Sequence, residues 1–253
     1  MKTRDLAILE ENRRSWNAMA DSWFGTTALP VYGCLAPTED ELALFPPLDG
    51  ARVLELGCGS GHSLAWCAKH GASELWGIDL SARQLENAER HLAGLGYKAK
   101  LFCCPMEDAP PEIPAARFDV VYAIYSIGWA TDLTAVFDHA ARWLKPGGSL
   151  IFSWDHPLMH CLETSEGELI FSGNYTRDET FSYIQRGQPV TVQNRRMSTY
   201  INALAAAGFA VERLIEESDP AVSARTVEFS SDYYSPWRAS KFPLSFIIKA
   251  RKI

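Results

Sequence analysis

The 253-residue sequence contains neither a C-x-x-C pair nor an H-E-x-x-H motif. Its six cysteines, at 34, 58, 67, 103, 104 and 161, are scattered, and the adjacent Cys103 and Cys104 have no usual zinc or disulfide spacing. Buried free thiols and no bound metal are expected. Positive charge is also scarce. There are 24 Lys and Arg against 31 Asp and Glu, a net charge of −7 with no basic cluster, which argues against nucleic acid as a main partner. No apolar run reaches membrane-spanning length, and the polar start Met1-Lys-Thr-Arg-Asp5 does not read as a signal peptide, so a cytoplasmic protein without a membrane partner is expected. Internal repeats and low-complexity tracts are missing too. With 47% hydrophobic residues, the chain suits one large domain or a domain with an insertion.

What is present is an alternation of short apolar runs and amphipathic stretches. Leu6, Leu9, Trp16, Met19 and Trp23 recur at helical spacing and predict a helix over 4–24, which either packs on the domain or closes over a ligand as a lid. Residues 25–50, with Pro30, Pro37, Pro46 and Pro47, read as a connector with one helical turn. From 51 onward strands are predicted at 52–56, 74–79, 98–103, 118–125 and 149–154, with helices at 61–70, 82–94 and 132–144 between them. Ser81 and Gln84 make an S-x-x-Q capping box for the second of these helices. Lys145-Pro-Gly-Gly148 reads as a turn before the strand at 149. A helix over 199–207 and strands over 209–215 and 244–250 follow. Residues 156–195 break the rhythm and suggest a hairpin-like cap, with Gly173 and Gly187 as turn candidates.

Such alternation predicts an α/β fold with a parallel sheet covered by helices on both faces. Ligands in such sheets bind beyond the strands' carboxyl ends. The residues just past each strand are therefore informative: Gly57, Asp79, Tyr125 and Asp155. The most telling stretch is Val53-Leu-Glu-Leu-Gly-Cys-Gly-Ser-Gly61, a strand running into a glycine-rich turn and a helix N-terminus. Glycine lets a ligand approach the backbone, and a helix N-terminus favours a polar or anionic group, so a nucleotide-like cofactor is expected here. The spacing Gly57-x-Gly59-x-Gly61 is not the dinucleotide fingerprint, and position 62 is His. Glu55 would repel a pyrophosphate and suit a cofactor carrying an ammonium. Asp79, 22 positions after Gly57, can accept hydrogen bonds from two ribose hydroxyls, or serve as a helix cap or a solvated loop acid.

Four segments in order carry a resemblance: Val53 to Gly61, Gly77-Ile-Asp-Leu-Ser81, Phe118-Asp-Val-Val121 and Leu144-Lys-Pro-Gly-Gly148. Together they resemble the class I S-adenosylmethionine-dependent methyltransferases, strongly over 50–155 and weakly over 198–209. The start, Arg13-Arg-Ser-Trp-Asn-Ala-Met-Ala20, is similar to the N-terminal helix of small-molecule members. Gly128-Trp-Ala-Thr-Asp132 with Asp155-His-Pro157 resembles largely uncharacterised bacterial members. The resemblance implies a Rossmann-like, doubly wound sheet, mostly parallel with an antiparallel last strand. It implies S-adenosylmethionine as cofactor and a single domain: an N-terminal helical lid (1–50), a cofactor-binding core (51–155), a cap insertion (156–195) and the C-terminal part of the sheet (196–253). Gly57, Gly59 and Gly61 would let the methionine part approach, with Cys58 contributing its backbone N–H. Glu55 would attract the ammonium, Asp79 would hold the ribose, and Leu80 would pack on the adenine. Met106 and Glu107 lie where members contact the adenine edge. Pro105 stands where many members have Asp, which moves adenine recognition to Glu107, Asp108 or the backbone. Ile124 and Tyr125 would lie beneath the sulfonium.

A sulfonium methyl is already activated, so catalysis is mainly alignment, and only a hydroxyl or carbon acceptor needs a base. His156 is the leading candidate base, with Tyr125, Asp155 and His160 behind it; a structural imidazole at 156 is the competing reading. Tyr32, Trp129 and Tyr175 are candidate walls of an acceptor pocket. The function expected is methyl transfer to a small molecule at O, N or C. The alternatives are a nicotinamide oxidoreductase with a degenerate fingerprint and a non-catalytic module that binds S-adenosylmethionine and regulates a partner.

Overall fold

The computed structural model describes residues 3–223 and 227–253. In chain order its elements begin with helix α1 (Thr3–Met19), short helix α2 (Glu39–Leu42), strand β1 (Arg52–Leu56), α3 (His62–Lys69), β2 (Glu74–Asp79), α4 (Ala82–Gly94) and β3 (Ala99–Cys103). They continue with β4 (Phe118–Ala123), α5 (Leu133–Trp143), β5 (Leu144–Asp155), β6 (Leu162–Ser165), β7 (Glu168–Phe171), β8 (Glu179–Gln185) and β9 (Gln188–Asn194). Last come α6 (Met197–Ala206), β10 (Phe209–Ile215), the short helices α7 (Pro220–Ser223) and α8 (Pro236–Ala239), and β11 (Ser245–Lys252).

Seven strands form one sheet in the order β10-β11-β5-β4-β1-β2-β3. Only β11 runs against its neighbours; the pairs β1–β2, β1–β4, β2–β3 and β4–β5 are parallel. This is the expected Rossmann-like sheet with an antiparallel last strand. Strand order reverses between β1 and β4, and the crevice at their carboxyl ends is where such folds hold ligands.

The two-residue period of the strands divides the core. Leu54, Val121, Phe152 and Ile248 pack with Phe137, Trp143 and Tyr200 of α5 and α6. Their neighbours Val53, Val120, Ile151 and Ile247 pack with Leu64 and Cys67 of α3 and Leu92 of α4. A sheet buried on both faces needs continuous apolar stretches, and β4, β5 and β11 have them at residues 120–123, 150–152 and 246–248.

Several elements depart from expectation. Helix α1 stops at Met19 and tightens into a 3₁₀ turn, Ala20–Trp23. Strand β4 ends at Ala123 rather than 125, because Tyr125 turns into the left-handed region at φ 53°. The Lys-Pro-Gly-Gly segment lies inside β5. Leu144 pairs with Phe118 and Ser149 pairs with Val120, so the four residues between form a bulge in a continuous strand. The cap is two hairpins, β6–β7 and β8–β9, with two-residue turns at Glu166–Gly167 and Arg186–Gly187 and positive φ at all four positions. Gly173, expected at a turn, instead lies against Cys161, where a Cβ would come within 2.7 Å of its Cα. The cysteines are free, but Cys103 is exposed rather than buried.

Candidate active site

The glycine turn is held by hydrogen bonds to the protein itself. Gly57 N and Cys58 N both donate to Ile78 O, at 2.8 and 3.0 Å, and Gly61 N donates to Cys58 O at 2.9 Å. Gly59 N donates to Asp79 Oδ2 at 2.8 Å. The Cys58 N–H is therefore spent on β2, contrary to the expectation that it meets the cofactor. Amides committed in this way do not form the open nest of N–H groups that cradles phosphates. Each glycine has its own reason. A Cβ on Gly57 would sit 2.6 Å from Ser126 Cβ, and one on Gly61 would sit 3.1 Å from Ala88 Cβ of α4. Gly61 thus closes the α3–α4 packing and is not among the residues lining the cavity. At Gly59, with φ 50°, only Gln84 Oε1 lies near, at 3.8 Å, and the backbone borders open space.

That space is a cavity of about 420 Å³ at the strands' carboxyl ends, within the usual range for small-molecule sites. One end is bordered by Glu55, Gly57, Gly59, Asp79, Leu80 and Met106. Cys58, Glu107 and Ile124 border it too. Glu55 is 3% exposed, and burial pushes its carboxyl well above the ordinary range, with the Ser63 and Tyr122 hydroxyls partly offsetting this. Burial likewise raises Asp79 to about 6, against the pull of the Ser81 and Gly59 amides. Its Oδ1 accepts from Ser81 N at 2.8 Å, so Asp79 borders the cavity and organises the start of α4 at once. The capping box is half formed. Ser81 Oγ accepts from Gln84 N at 3.1 Å, but Gln84 Oε1 accepts from Ser60 Oγ at 2.6 Å instead of reaching back. Glu107 Oε1 accepts from both Thr131 N and Thr131 Oγ1 at 2.8 Å, tying down the loop after β4. Asp108 is not among the lining residues.

The other end is aromatic. Trp129, Trp154, Tyr125, Tyr183 and Tyr234 line it, with Asp155 among them. Tyr125 Oη donates to Asp155 Oδ1, and Tyr234 Oη to Asp155 Oδ2 at 2.9 Å. Burial lifts Asp155 to about 6, and burial together with the Asp155 charge holds the Tyr125 phenol protonated. A glycine makes room for each of two rings. A Cβ on Gly33 would touch the Tyr125 ring at 2.7 Å, and one on Gly128 would overlap the Trp154 indole at 1.9 Å.

Leu9, Trp16 and Trp23 of the N-terminal segment and Tyr183 and Gln185 of β8 close the cavity over. These two pieces are joined. Asn12 Nδ2 donates to Thr191 O at 2.8 Å, Thr191 N returns to Asn12 Oδ1 at 2.9 Å, and Ser15 Oγ donates to Pro189 O at 2.5 Å. Arg186 stacks over the Trp23 ring at 3.9 Å. Asn17 Oδ1, which accepts from Ser81 Oγ and Arg83 N, fixes α1 to the start of α4.

His156 is not in this cavity. It caps the 3₁₀ turn Pro157–Cys161, its Nδ1 accepting from Leu158 N at 3.2 Å and its Nε2 meeting Glu216 Oε1 at 2.8 Å. Both ring nitrogens are engaged, which is the structural arrangement of an imidazole at this position. His160 is half-buried and does not line the cavity, and desolvation lowers its pKa to about 4. Tyr32 lies in the core with its hydroxyl on Glu39, and Tyr175 Oη accepts from Met197 N. Of the expected acceptor walls, only Trp129 lines the cavity. The Tyr234–Asp155 pair has a single sequence signal, a polar residue, Asp155, at a strand's carboxyl end.

A methyltransferase-domain family model matches residues 53–148. An uncharacterized protein of Haemophilus influenzae is 30% identical over 226 residues, 84% of this chain and 85% of that protein. The crystal structure of an S-adenosylmethionine-dependent methyltransferase from Mesorhizobium loti superposes with a TM-score of 0.69 at 25% identity, covering 83% of this chain and 95% of that one. A ubiquinone biosynthesis O-methyltransferase of Idiomarina loihiensis is 34% identical over 106 residues; the match takes in 42% of this chain and 43% of that enzyme. The chain belongs to the class I S-adenosylmethionine-dependent methyltransferases, and S-adenosylmethionine is its cofactor. The residues fit that group. The turn offers open backbone at Gly59 and no phosphate nest, and a buried carboxylate waits at Glu55. Among the described residues, no helix is long and apolar enough to cross a membrane.

Proposed function

We propose that this methyltransferase acts on a small-molecule acceptor, at O, N or C, held in the aromatic end of the cavity beside Tyr125. The observation that supports this most is the continuity of one cavity of about 420 Å³ from Glu55 and Asp79 to Trp129, Trp154 and Tyr183. In this reading Glu55 takes the cofactor's ammonium and Asp79 its ribose hydroxyls. Leu80 and Met106 flank the adenine, Gly57 and Gly59 border the methionine part, and Cys58, Glu107 and Ile124 complete the wall. The bound cofactor supplies an electrophilic methyl group. The chain's own residues align the acceptor and exclude water. Residues 1–50 and 156–195 act as lid and cap over the core at 51–155, and the C-terminal part from 196 completes the sheet. The exposed thiol of Cys103 suits a reducing compartment, which supports a cytoplasmic setting.

The test is to incubate the protein with methyl-labelled S-adenosylmethionine and a cell extract split into metabolites, protein and nucleic acid. Label should move into the metabolite fraction. Label entering only protein or nucleic acid would refute the reading.

A further inference from the structure

We propose that the acceptor is an amine, delivered as its ammonium and received by Asp155, Tyr125 and Tyr234. This rests on the small-molecule reading above and narrows it to one chemical class.

Asp155 ends β5 at the carboxyl edge of the sheet, is 7% exposed and lines the cavity. Among the described residues no cationic side chain pairs with it; its partners are two phenols. Among the described residues the groups that feel its charge are Cys34, Tyr125, Tyr183, Tyr200, Tyr233 and Tyr234, and all are held neutral. A buried carboxylate with no counter-charge is costly, and phenolic hydrogen bonds cover only part of that cost. A cation brought by a ligand would complete it.

The hydrogen-bond pattern selects the kind of cation. Both phenols spend their only proton on Asp155, so the trio has only lone pairs to offer a ligand. Tyr125 Oη, Tyr234 Oη and Asp155 Oδ2 are three acceptors, and an ammonium has up to three N–H donors. A carboxylate, phosphate or carbonyl would meet only repulsion. A hydroxyl would satisfy one acceptor and leave the charge uncompensated. The surroundings point the same way. The Tyr125 and Trp154 rings lie 5.2 Å apart and Trp129 lies 5.6 Å from Trp154, and all three line the cavity with the carboxylate, aromatic surroundings that suit a cation.

The chemistry balances. The bound ammonium passes one proton to Asp155, whose burial makes it more basic than an ordinary aspartate. The freed lone pair forms the N–CH₃ bond as the carbon–sulfur bond breaks, the bonding pair staying on sulfur. The sulfonium becomes a neutral thioether and the amine a methylated ammonium. Asp155 returns its proton to solvent on product release. Tyr125 and Tyr234 keep their protons throughout.

The experiment is calorimetric titration of the protein, saturated with S-adenosylhomocysteine, with benzylamine and with its neutral analogue benzyl alcohol. Benzylamine should bind at least tenfold more tightly. Asp155→Asn should abolish that preference while changing S-adenosylhomocysteine affinity by less than twofold. Should that variant not fold, Tyr234→Phe must shrink the preference by about threefold or more. Equal binding of the two probes, or a preference that survives Asp155→Asn, overturns the proposal. So does a variant that loses affinity only for S-adenosylmethionine relative to S-adenosylhomocysteine, because Asp155 would then serve the sulfonium. Label found only in macromolecules refutes the small-molecule reading; a wild-type protein that binds S-adenosylhomocysteine but shows no preference for the amine refutes this inference alone.

Discussion

Asp79 accepts the Gly59 and Ser81 backbone N–H groups, one on each oxygen, and each oxygen keeps a lone pair for a ribose hydroxyl. Only the ionised form accepts well. Burial raises Asp79 to about 6 and Glu55 well above its ordinary range. On the proposed assignment, hydroxyl and ammonium donors would favour the charged forms and give the complex lower pKa values than the free protein. Affinity for S-adenosylhomocysteine should therefore rise with pH through about 6 and fall on acidification, by up to about tenfold per pH unit for each group titrating. Calorimetry from pH 5 to 8 checks this; a flat profile would show that neither acid meets the cofactor. The linkage for folding has the opposite sense. An acid with a raised pKa favours the free protein's folded state below its ordinary range, and that contribution is lost as pH rises through about 6. Strand-end position made Glu55, Gly59 and Asp79 legible in the sequence. The aromatic end of the cavity was harder to read. His156 stands one residue past β5, where the chain has already turned to cap Pro157–Cys161. Tyr234 reaches Asp155 from 79 residues away, out of a segment with no periodicity.

The contact of α1 with β9 depends on Asn12, whose amide closes a two-bond ring with the Thr191 backbone at a buried position. Asn12→Ala leaves both Thr191 groups unpaired, at about 1–3 kcal/mol. Hydrogen exchange should quicken in α1 and β9 together while the core sheet stays protected. Faster exchange in α1 alone would mean the two move independently. The glycine turn gives a second contrast. Alanine at either Gly59 or Gly61 meets a positive φ, a strain of about 1–2 kcal/mol, but only at Gly61 does the Cβ also press on Ala88. Gly61→Ala should melt below Gly59→Ala, and Gly59→Ala should lose more cofactor affinity. The reverse order in either measurement would contradict the assigned roles. Elements with clean periods and caps, such as β1, β2, α4 and β10, fall where their sequence places them. The β5 bulge does not, because Pro-Gly-Gly reads locally as a turn and only pairing with β4 makes it strand. The exposed β6–β7 hairpin buries too little apolar surface to impose a pattern.

At the scale of the whole molecule, a sheet buried on both faces carries a cavity at its strand-order reversal, and the N-terminal segment and the β8–β9 hairpin close it. The alternation of strands and helices made the sheet legible from sequence. The closure was less so, because it depends on contacts such as Asn12 with Thr191, 179 residues apart. Ligand that binds only the folded chain should raise its stability, by about 2.7 kcal/mol at a hundred times the Kd. The most direct measurement is calorimetric titration of S-adenosylhomocysteine, with NAD as control, into wild type and Asp79→Ala. Wild type should bind one equivalent of S-adenosylhomocysteine and no NAD. The variant should bind roughly 30- to 1000-fold more weakly, about 2–4 kcal/mol. Equal affinity in the variant, or heat from NAD alone, would contradict a cofactor site built on this turn and this carboxylate.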